Sequence, residues 1–332
     1  FGAQHFTHVL TVDSILDELD NWILSAPGPY ANASLLGAMY CTKMAKAQGI
    51  NTLIAGDGGD ELFGGYNRHI NGPALWLKFG RLPSSMRDGL SPLLTAVPPS
   101  RWDSIFKHTS AVLPRSWRYN SAGDKLHKVA GMLSAGSPDE IYDRLSSQWQ
   151  ISEQVVSGSF QRHSDIRKSV CPAELADLEH RMMFMDTTTY LPDDILVKID
   201  RAAMGVSLET RVPMLDHRVV EFAWSLPLDM KIKGNEGKWL LRRLLDRHVP
   251  RSLIERPKAG FGVPIDSWLR GPLRAWAEEL LDNNKLIQQG LFDPAPIRRK
   301  WQEHLKGKYN WSHQLWGVLM FNAWLDEQQD NQ

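Results

Sequence analysis

Leu53-Ile54-Ala55-Gly56-Asp57-Gly58-Gly59-Asp60-Glu61-Leu62-Phe63-Gly64-Gly65-Tyr66 passes from an apolar lead into a loop of glycine and carboxylate. The lead, Asn51-Thr52-Leu53-Ile54-Ala55, predicts a buried parallel strand. The loop then falls at the C-terminal edge of that strand, where open α/β sheets bind their ligands. Glycines there let backbone amides approach a phosphate closely, and oxygen-rich side chains suit Mg²⁺. Two aspartates and a glutamate beside a phosphate-sized gap point to a metal-nucleotide site; the plainer alternative is a solvated Gly-Asp turn.

The 332 residues, 42% of them hydrophobic, suffice for one large domain or two modest ones. Lys plus Arg and Asp plus Glu balance at 38 each, which leaves no electrostatic case for nucleic acid as a partner. The two cysteines, Cys41 and Cys171, lie far apart. They form neither a disulfide framework nor a zinc pattern, and they fit a reducing, cytoplasmic compartment. No apolar run reaches the roughly 18 residues of a membrane span, and no signal peptide is visible. Tryptophan is abundant, but Trp224, Trp239, Trp301 and Trp316 recur within helical patterns, which predicts core packing rather than ligand stacking.

The chain begins at Phe1 and enters a strand-like run, His8-Val9-Leu10-Thr11-Val12, almost at once. A strand with no room for its sheet neighbours predicts further sequence upstream. Asp13 is expected to cap a helix reaching about residue 26, Pro27-Gly28-Pro29-Tyr30 to turn, and a second helix to span about 33–48. Residues 5–58 then read as strand–helix–strand, the unit of a parallel sheet. Beyond Tyr66 strand signals nearly vanish. Helical spacing takes over at Leu75/Phe79, Ile141/Leu145, Leu175/Leu178/Met182 and Val219/Phe222/Leu226, with proline breaks near 92–99 and 250–257. The expected organisation is an α/β layer over 1–72 and a mainly helical part of the same domain over 73–332.

Further segments follow in order: Leu-Pro-Asp-Asp-Ile-Leu-Val-Lys-Ile-Asp-Arg from 191 to 201, continuing to Arg211-Val212-Pro213-Met214-Leu215-Asp216; Lys231-Ile232-Lys233-Gly234-Asn235-Glu236-Gly237-Lys238; and Arg256-Pro257-Lys258-Ala259-Gly260-Phe261-Gly262. Together with the loop, these blocks resemble the synthetase domain of glutamine-dependent asparagine synthetases over roughly residues 30–325. The resemblance implies a parallel-sheet, adenine-nucleotide α-hydrolase-like (ATP pyrophosphatase) layer, incomplete at its N-terminus, with a large helical elaboration and with the glutaminase domain upstream of this chain. It implies a ligase of asparagine biosynthesis that uses ATP and Mg²⁺. The carboxylate of aspartate attacks the α-phosphate, pyrophosphate leaves, and glutamine-derived ammonia converts the β-aspartyl-adenylate to asparagine and AMP. It leaves room for a homodimer.

By the same resemblance Asp60 is the Mg²⁺ ligand on the pyrophosphate side, and Asp57 helps form or protect the adenylate. Ala55, Gly56, Gly58 and Gly59 lie against the nucleotide, and Lys258 is the catalytic lysine that answers charge at phosphorus. Asp200 and Arg201, beside Lys198, are expected near substrate. Glu209, Arg211 and Asp216 read as ion pairs that fix a turn. Lys238 is open between a phosphate-side helix start and an exposed position.

Three departures accompany the resemblance. The Ser-Gly-Gly-x-Asp-Ser phosphate loop is absent from these residues, and so is the glutaminase cysteine. The fragment alone is therefore expected to be inactive. Asn32, in Pro29-Tyr30-Ala31-Asn32, stands where relatives often carry aspartate. The competing readings are a β-lactam synthetase-like or other amide ligase adenylating a different carboxylate, and a scaffold without turnover.

Overall fold

The computed structural model of the chain describes residues 2–25, 28–108, 122–149, 155–158, 172, 175–255 and 262–330. Helix α1 (Val12–Ser25) is started by Thr11, not Asp13. The Thr11 hydroxyl accepts from the Ser14 amide at 3.3 Å while Ser14 Oγ accepts from the Thr11 amide at 3.1 Å. This reciprocal arrangement satisfies amides that lack an intrahelical partner, and it places Asp13 inside the first turn. The strand expected at 8–12 does not form: residues 2–11 carry no regular structure, and Val9 is 76% exposed. A strand needs a neighbour to take its amides and carbonyls, and among the described residues none pairs with this run.

Helix α2 (Ser34–Ala47) follows close to the expected bounds and leads into strand β1 (Thr52–Ile54). Its parallel partner is β2 (Glu209–Arg211), a strand the sequence reading did not foresee, in the register Thr52↔Glu209, Leu53↔Thr210, Ile54↔Arg211. Two bonds extend the ladder. Glu209 donates to the Asn51 carbonyl and Ala55 to the Arg211 carbonyl, each at 2.9 Å. The strand is not buried as expected. Parallel strands are ordinarily covered on both faces, but this sheet has only two strands, and Ile54 is 79% exposed.

The remainder is mainly helical, as the apolar spacing predicts. The largest core joins α1 and α2 to the C-terminal helices Ile265–Arg270, Arg274–Leu280, Pro294–Leu305 and Ser312–Asp330, around the fully buried Trp301 and Trp316. A second cluster gathers Ile141, Tyr142, Met182 and Met185. A third packs Leu62 and Phe63 against Ala223, Leu215 and Trp224, and this cluster anchors the glycine–carboxylate loop from behind.

One helix is irregular where it matters. Leu178–Met185 is α-helical, Asp186–Leu196 is wound as a π-helix, and Val197–Met204 returns to α. Pro192 has no amide to give, and the hydroxyls of Thr187, Thr188 and Thr189 bond back to carbonyls of Met183, Phe184 and Met185. Both effects loosen the i−4 ladder. The wider turn presents Asp186, Tyr190 and Asp194 toward the region beside the loop, and such π segments recur at functional sites.

Candidate functional site

The loop leaves β1 at Ala55 and becomes helix α3 (Gly59–Leu62) through Gly58, whose φ is +82°. The positive φ favours glycine there, and a Cβ would lie 2.5 Å from Leu215 Cδ2, so the leucine side chain would have to shift. Asp60 therefore sits within the first turn of α3 instead of capping it. Beside Gly56 a Cβ would meet nothing within 4 Å, which leaves open space for a ligand against that backbone.

The site's charges come from three separated segments. Lys238 Nζ reaches Asp60 Oδ1 at 3.0 Å, and its own amide donates to the Phe63 carbonyl at 2.9 Å. Lys238 holds a left-handed φ of +53°, which turns its side chain back over the loop. Gly65 makes room: a Cβ there would collide with Asp60 Oδ1 at 1.9 Å and stand 2.9 Å from Lys238 Cε. Burial pushes the Asp57 carboxyl above its ordinary value; Lys198 pulls it back and the negative charge of Asp60 adds to the rise. Asp57, Asp60, Lys198 and Lys238 thus form one electrostatic group.

Behind the loop, Glu61 is 1% exposed, and burial raises its pKa against the lowering effect of its bond from the Tyr66 hydroxyl, at 2.5 Å. Tyr66 is stacked on Arg68, whose Nε donates to the buried Asp186 at 2.7 Å. Tyr190 interacts with both Arg68 and Asp194, and Asp194 accepts from the Tyr30 hydroxyl at 2.5 Å. A continuous polar chain therefore runs from the loop through the π-helix to α2.

Of the residues expected from sequence, Ala55, Gly56, Asp57, Gly58, Gly59 and Asp60 are brought together. Arg201 lies at the other end of the polar chain, donating to the Gly28 carbonyl at 3.2 Å with its guanidinium 5.4 Å from the Tyr30 ring centre. Asp200 is exposed. Lys258, with the rest of 256–261, lies outside the described residues. Arg211 pairs with Glu209 at 2.8 Å and Asp216 with Arg218 at 2.7 Å, both on exposed surface, and Asp216 also caps the helix His217–Ser225. Each pair joins residues two apart in sequence.

The reading of Asn32 changes. Its amide donates to both oxygens of Asp194 at 3.0 and 3.1 Å, while its Oδ1 accepts from the amide and hydroxyl of Ser34. It joins the start of α2 to the π-helix. Sequence reasoning missed Tyr66, Arg68 and Asp186 as a unit. The available signal was a lone carboxylate directly after Met182-Met183-Phe184-Met185, in a helix otherwise reading as core.

A Mg²⁺ ion bound chiefly by phosphate and water needs only one or two protein carboxylates. The residues fit such an ion: Asp60, its side chain 26% exposed, stands at the open face of the loop with Asp57 near it. No group of three or more His, Cys, Asp or Glu side chains suited to an all-protein metal cage occurs among the described residues. No helix among them is long and apolar enough to cross a membrane.

Comparison with known proteins agrees with the resemblance. A putative glutamine-hydrolysing asparagine synthetase of Mycobacterium tuberculosis is 32% identical over 327 residues, covering 97% of this chain and 46% of that protein. The glutamine-hydrolysing asparagine synthetase 1 of Bacillus subtilis is 27% identical over 332 residues, covering 97% of this chain and 48% of that protein. The chain thus spans about half the length of these relatives. The asparagine synthetase of Gallus gallus matches 45% of the chain at 27% identity. No solved structure matches it. The profile of the asparagine synthase family matches residues 1–326, taking in both the sheet that carries the loop and the helical remainder, and the chain belongs to that family.

Proposed function

We propose that this chain is the synthetase part of a ligase that amidates aspartate with ATP through a β-aspartyl-adenylate, the ammonia coming from glutamine hydrolysed elsewhere in the full protein. The observation that carries the reading is the loop at the carboxyl edge of β1, where Asp60 meets Lys238 at 3.0 Å beside the open backbone of Gly56. An anion such as pyrophosphate meets fixed positive charge there, and a hard cation meets carboxylate. Residues 1–72, together with β2 (Glu209–Arg211), serve as part of the ATP pyrophosphatase-type layer, and the helical remainder supports it.

In this scheme an aspartate carboxylate oxygen bonds to the α-phosphorus and the bond to the pyrophosphate oxygen breaks. Ammonia then adds to the acyl carbon, AMP leaves, and one proton is lost from nitrogen. The backbone at Ala55, Gly56, Gly58 and Gly59 lies against the nucleotide. Mg²⁺, when bound at Asp60, neutralises phosphate charge. Lys238 places a cation on the same side. Asp57, whose carboxyl burial raises above its ordinary value, is suited to handle a proton of the attacking ammonia. Lys258 supplies charge at phosphorus, and Asp200 and Arg201 stand toward the substrate.

The test uses the full-length protein. Aspartate-dependent exchange of labelled pyrophosphate into ATP is the expected result. Lys258→Ala should abolish the exchange while glutamine hydrolysis continues. Exchange driven by a different carboxylate, and not by aspartate, would replace the acceptor. No exchange with any carboxylate would overturn the ligase reading.

A further inference from the structure

We infer that Arg68, anchored by the buried Asp186, is a positioning residue that fixes the 56–61 loop through Tyr66 and Glu61. The inference rests on the ligase reading of that loop and adds a residue outside it.

The guanidinium meets two tyrosine rings, themselves in edge contact with centres 5.7 Å apart, and a buried carboxylate. Its carbon lies 4.1 Å from the Tyr66 ring centre and 4.6 Å from that of Tyr190, and Nε donates to Asp186 Oδ2 at 2.7 Å. Asp186 is fully buried and also bonded by His69 Nε2 at 2.6 Å and by the Tyr142 hydroxyl at 2.7 Å. Burial opposes the Asp186 charge, yet the bonds from His69 and Arg68 hold its carboxyl below the ordinary range. Burial pushes His69 below its ordinary value, so at neutral pH the ring is uncharged and Arg68 supplies the formal positive charge. A carboxylate held by three donors is a rigid anchor, and it fixes the plane against which Tyr66 rests.

Tyr66 then delivers that placement to the site. Its hydroxyl donates to Glu61 Oε1 at 2.5 Å, and Glu61 is adjacent to Asp60 in α3. Packing alone does not favour this arrangement, because Arg68 Nη2 is buried with no hydrogen-bond partner among the described residues. A guanidinium can hold its Nε bond to Asp186 while its carbon rests against both rings; a lysine ammonium has no such fixed fork with which to do both at once.

The test compares full-length wild type with Arg68→Lys, Arg68→Met, Tyr66→Phe and the Arg68→Met/Tyr66→Phe double variant. Amide hydrogen exchange of the 58–66 segment is measured without ATP, and kcat and KM of pyrophosphate exchange with it. Both Arg68 variants should speed amide exchange in that segment roughly tenfold, with the C-terminal helices unchanged. Both should lower kcat about 100-fold while KM for ATP moves less than about threefold. Tyr66→Phe should reproduce most of the kcat loss, and the double variant should add less than about twofold to it. Full rescue by lysine would overturn the positioning role. So would a loss of melting temperature with segment protection and kcat intact, or a double variant whose losses multiply. If wild type shows no pyrophosphate exchange, the ligase reading fails, and hydrogen exchange alone then decides whether Arg68 holds the loop.

Discussion

Asn32 is bonded at both ends of its amide, and that fixes what can replace it. Its nitrogen reaches both oxygens of Asp194 and its oxygen serves the first turn of α2. Aspartate in its place would keep the second role and set two carboxylates about where the 3.0 Å bond now stands. Asn32→Asp should therefore cost about 1–3 kcal/mol of stability at neutral pH and less in acid, where one of the pair can take a proton. Chemical denaturation at two pH values reads this directly, and an unchanged midpoint at both would show that the bridge contributes nothing. Asp57 offers a second case. Burial raises its pKa and Lys198 lowers it, so Lys198→Met should move the Asp57 titration to higher pH. The acid limb of the pyrophosphate-exchange profile would follow it upward, and a limb that stays in place would separate Lys198 from Asp57.

At the scale of elements, the short helix α3 does what a longer one could not. Four residues, Gly59–Leu62, cannot be stable alone, so their position depends on Leu62 and Phe63 being buried against Leu215 and Ala223. Gly58 permits the entry into that turn. Gly58→Ala forces a side chain into left-handed backbone and toward Leu215, and it should destabilise the protein by about 1–3 kcal/mol. Thermal unfolding tests this, and a loss smaller than the error of the measurement would mean that Leu215 simply turns aside. The π-helix works in the opposite sense. It is a long element loosened locally: the threonine hydroxyls of its first turn bond to carbonyls of the preceding α-helix, and Asp186, Tyr190 and Asp194 recur every fourth residue along it.

Across the whole molecule, the buried titrating groups give stability a pH dependence of mixed sign. His69 titrates near 6.5 when unfolded and lower when folded, because burial disfavours its charge. Between those values the unfolded chain binds more protons, so the His69 contribution is complete above 6.5 and is lost as pH falls through the folded value. Asp186 behaves likewise at lower pH: its contribution is present above its ordinary 3.8 and lost below. Glu61 opposes them, since its raised pKa makes the folded state weaker as pH climbs from 4.5 through the folded value. The melting temperature should fall as pH drops below 6.5, and His69→Gln, which retains a donor to Asp186, should flatten that fall. Parallel curves for the two proteins would remove His69 from the account. Asp186→Asn leaves the Arg68 charge buried without its counter-charge and should cost about 3–5 kcal/mol.

Sequence by itself determined the glycine–carboxylate loop, the strand before it, both N-terminal helices, the helical remainder and the family. These follow from local backbone preference, apolar period and the order of motifs, all of which reside in neighbouring residues. It misjudged the run at 8–12 and the burial of Ile54, because strand burial depends on partners that local pattern does not carry. The tertiary structure alone decided that Glu209–Arg211 pairs with β1, that Lys238 closes on Asp60, and that Asn32 is a strut. It also decided that Asp186, more than a hundred residues from Arg68, holds that guanidinium behind the loop. The physical reason is the same in each: a charge or a strand edge is satisfied by whatever the fold brings within about 3 Å, and sequence separation places no bound on which residue that is.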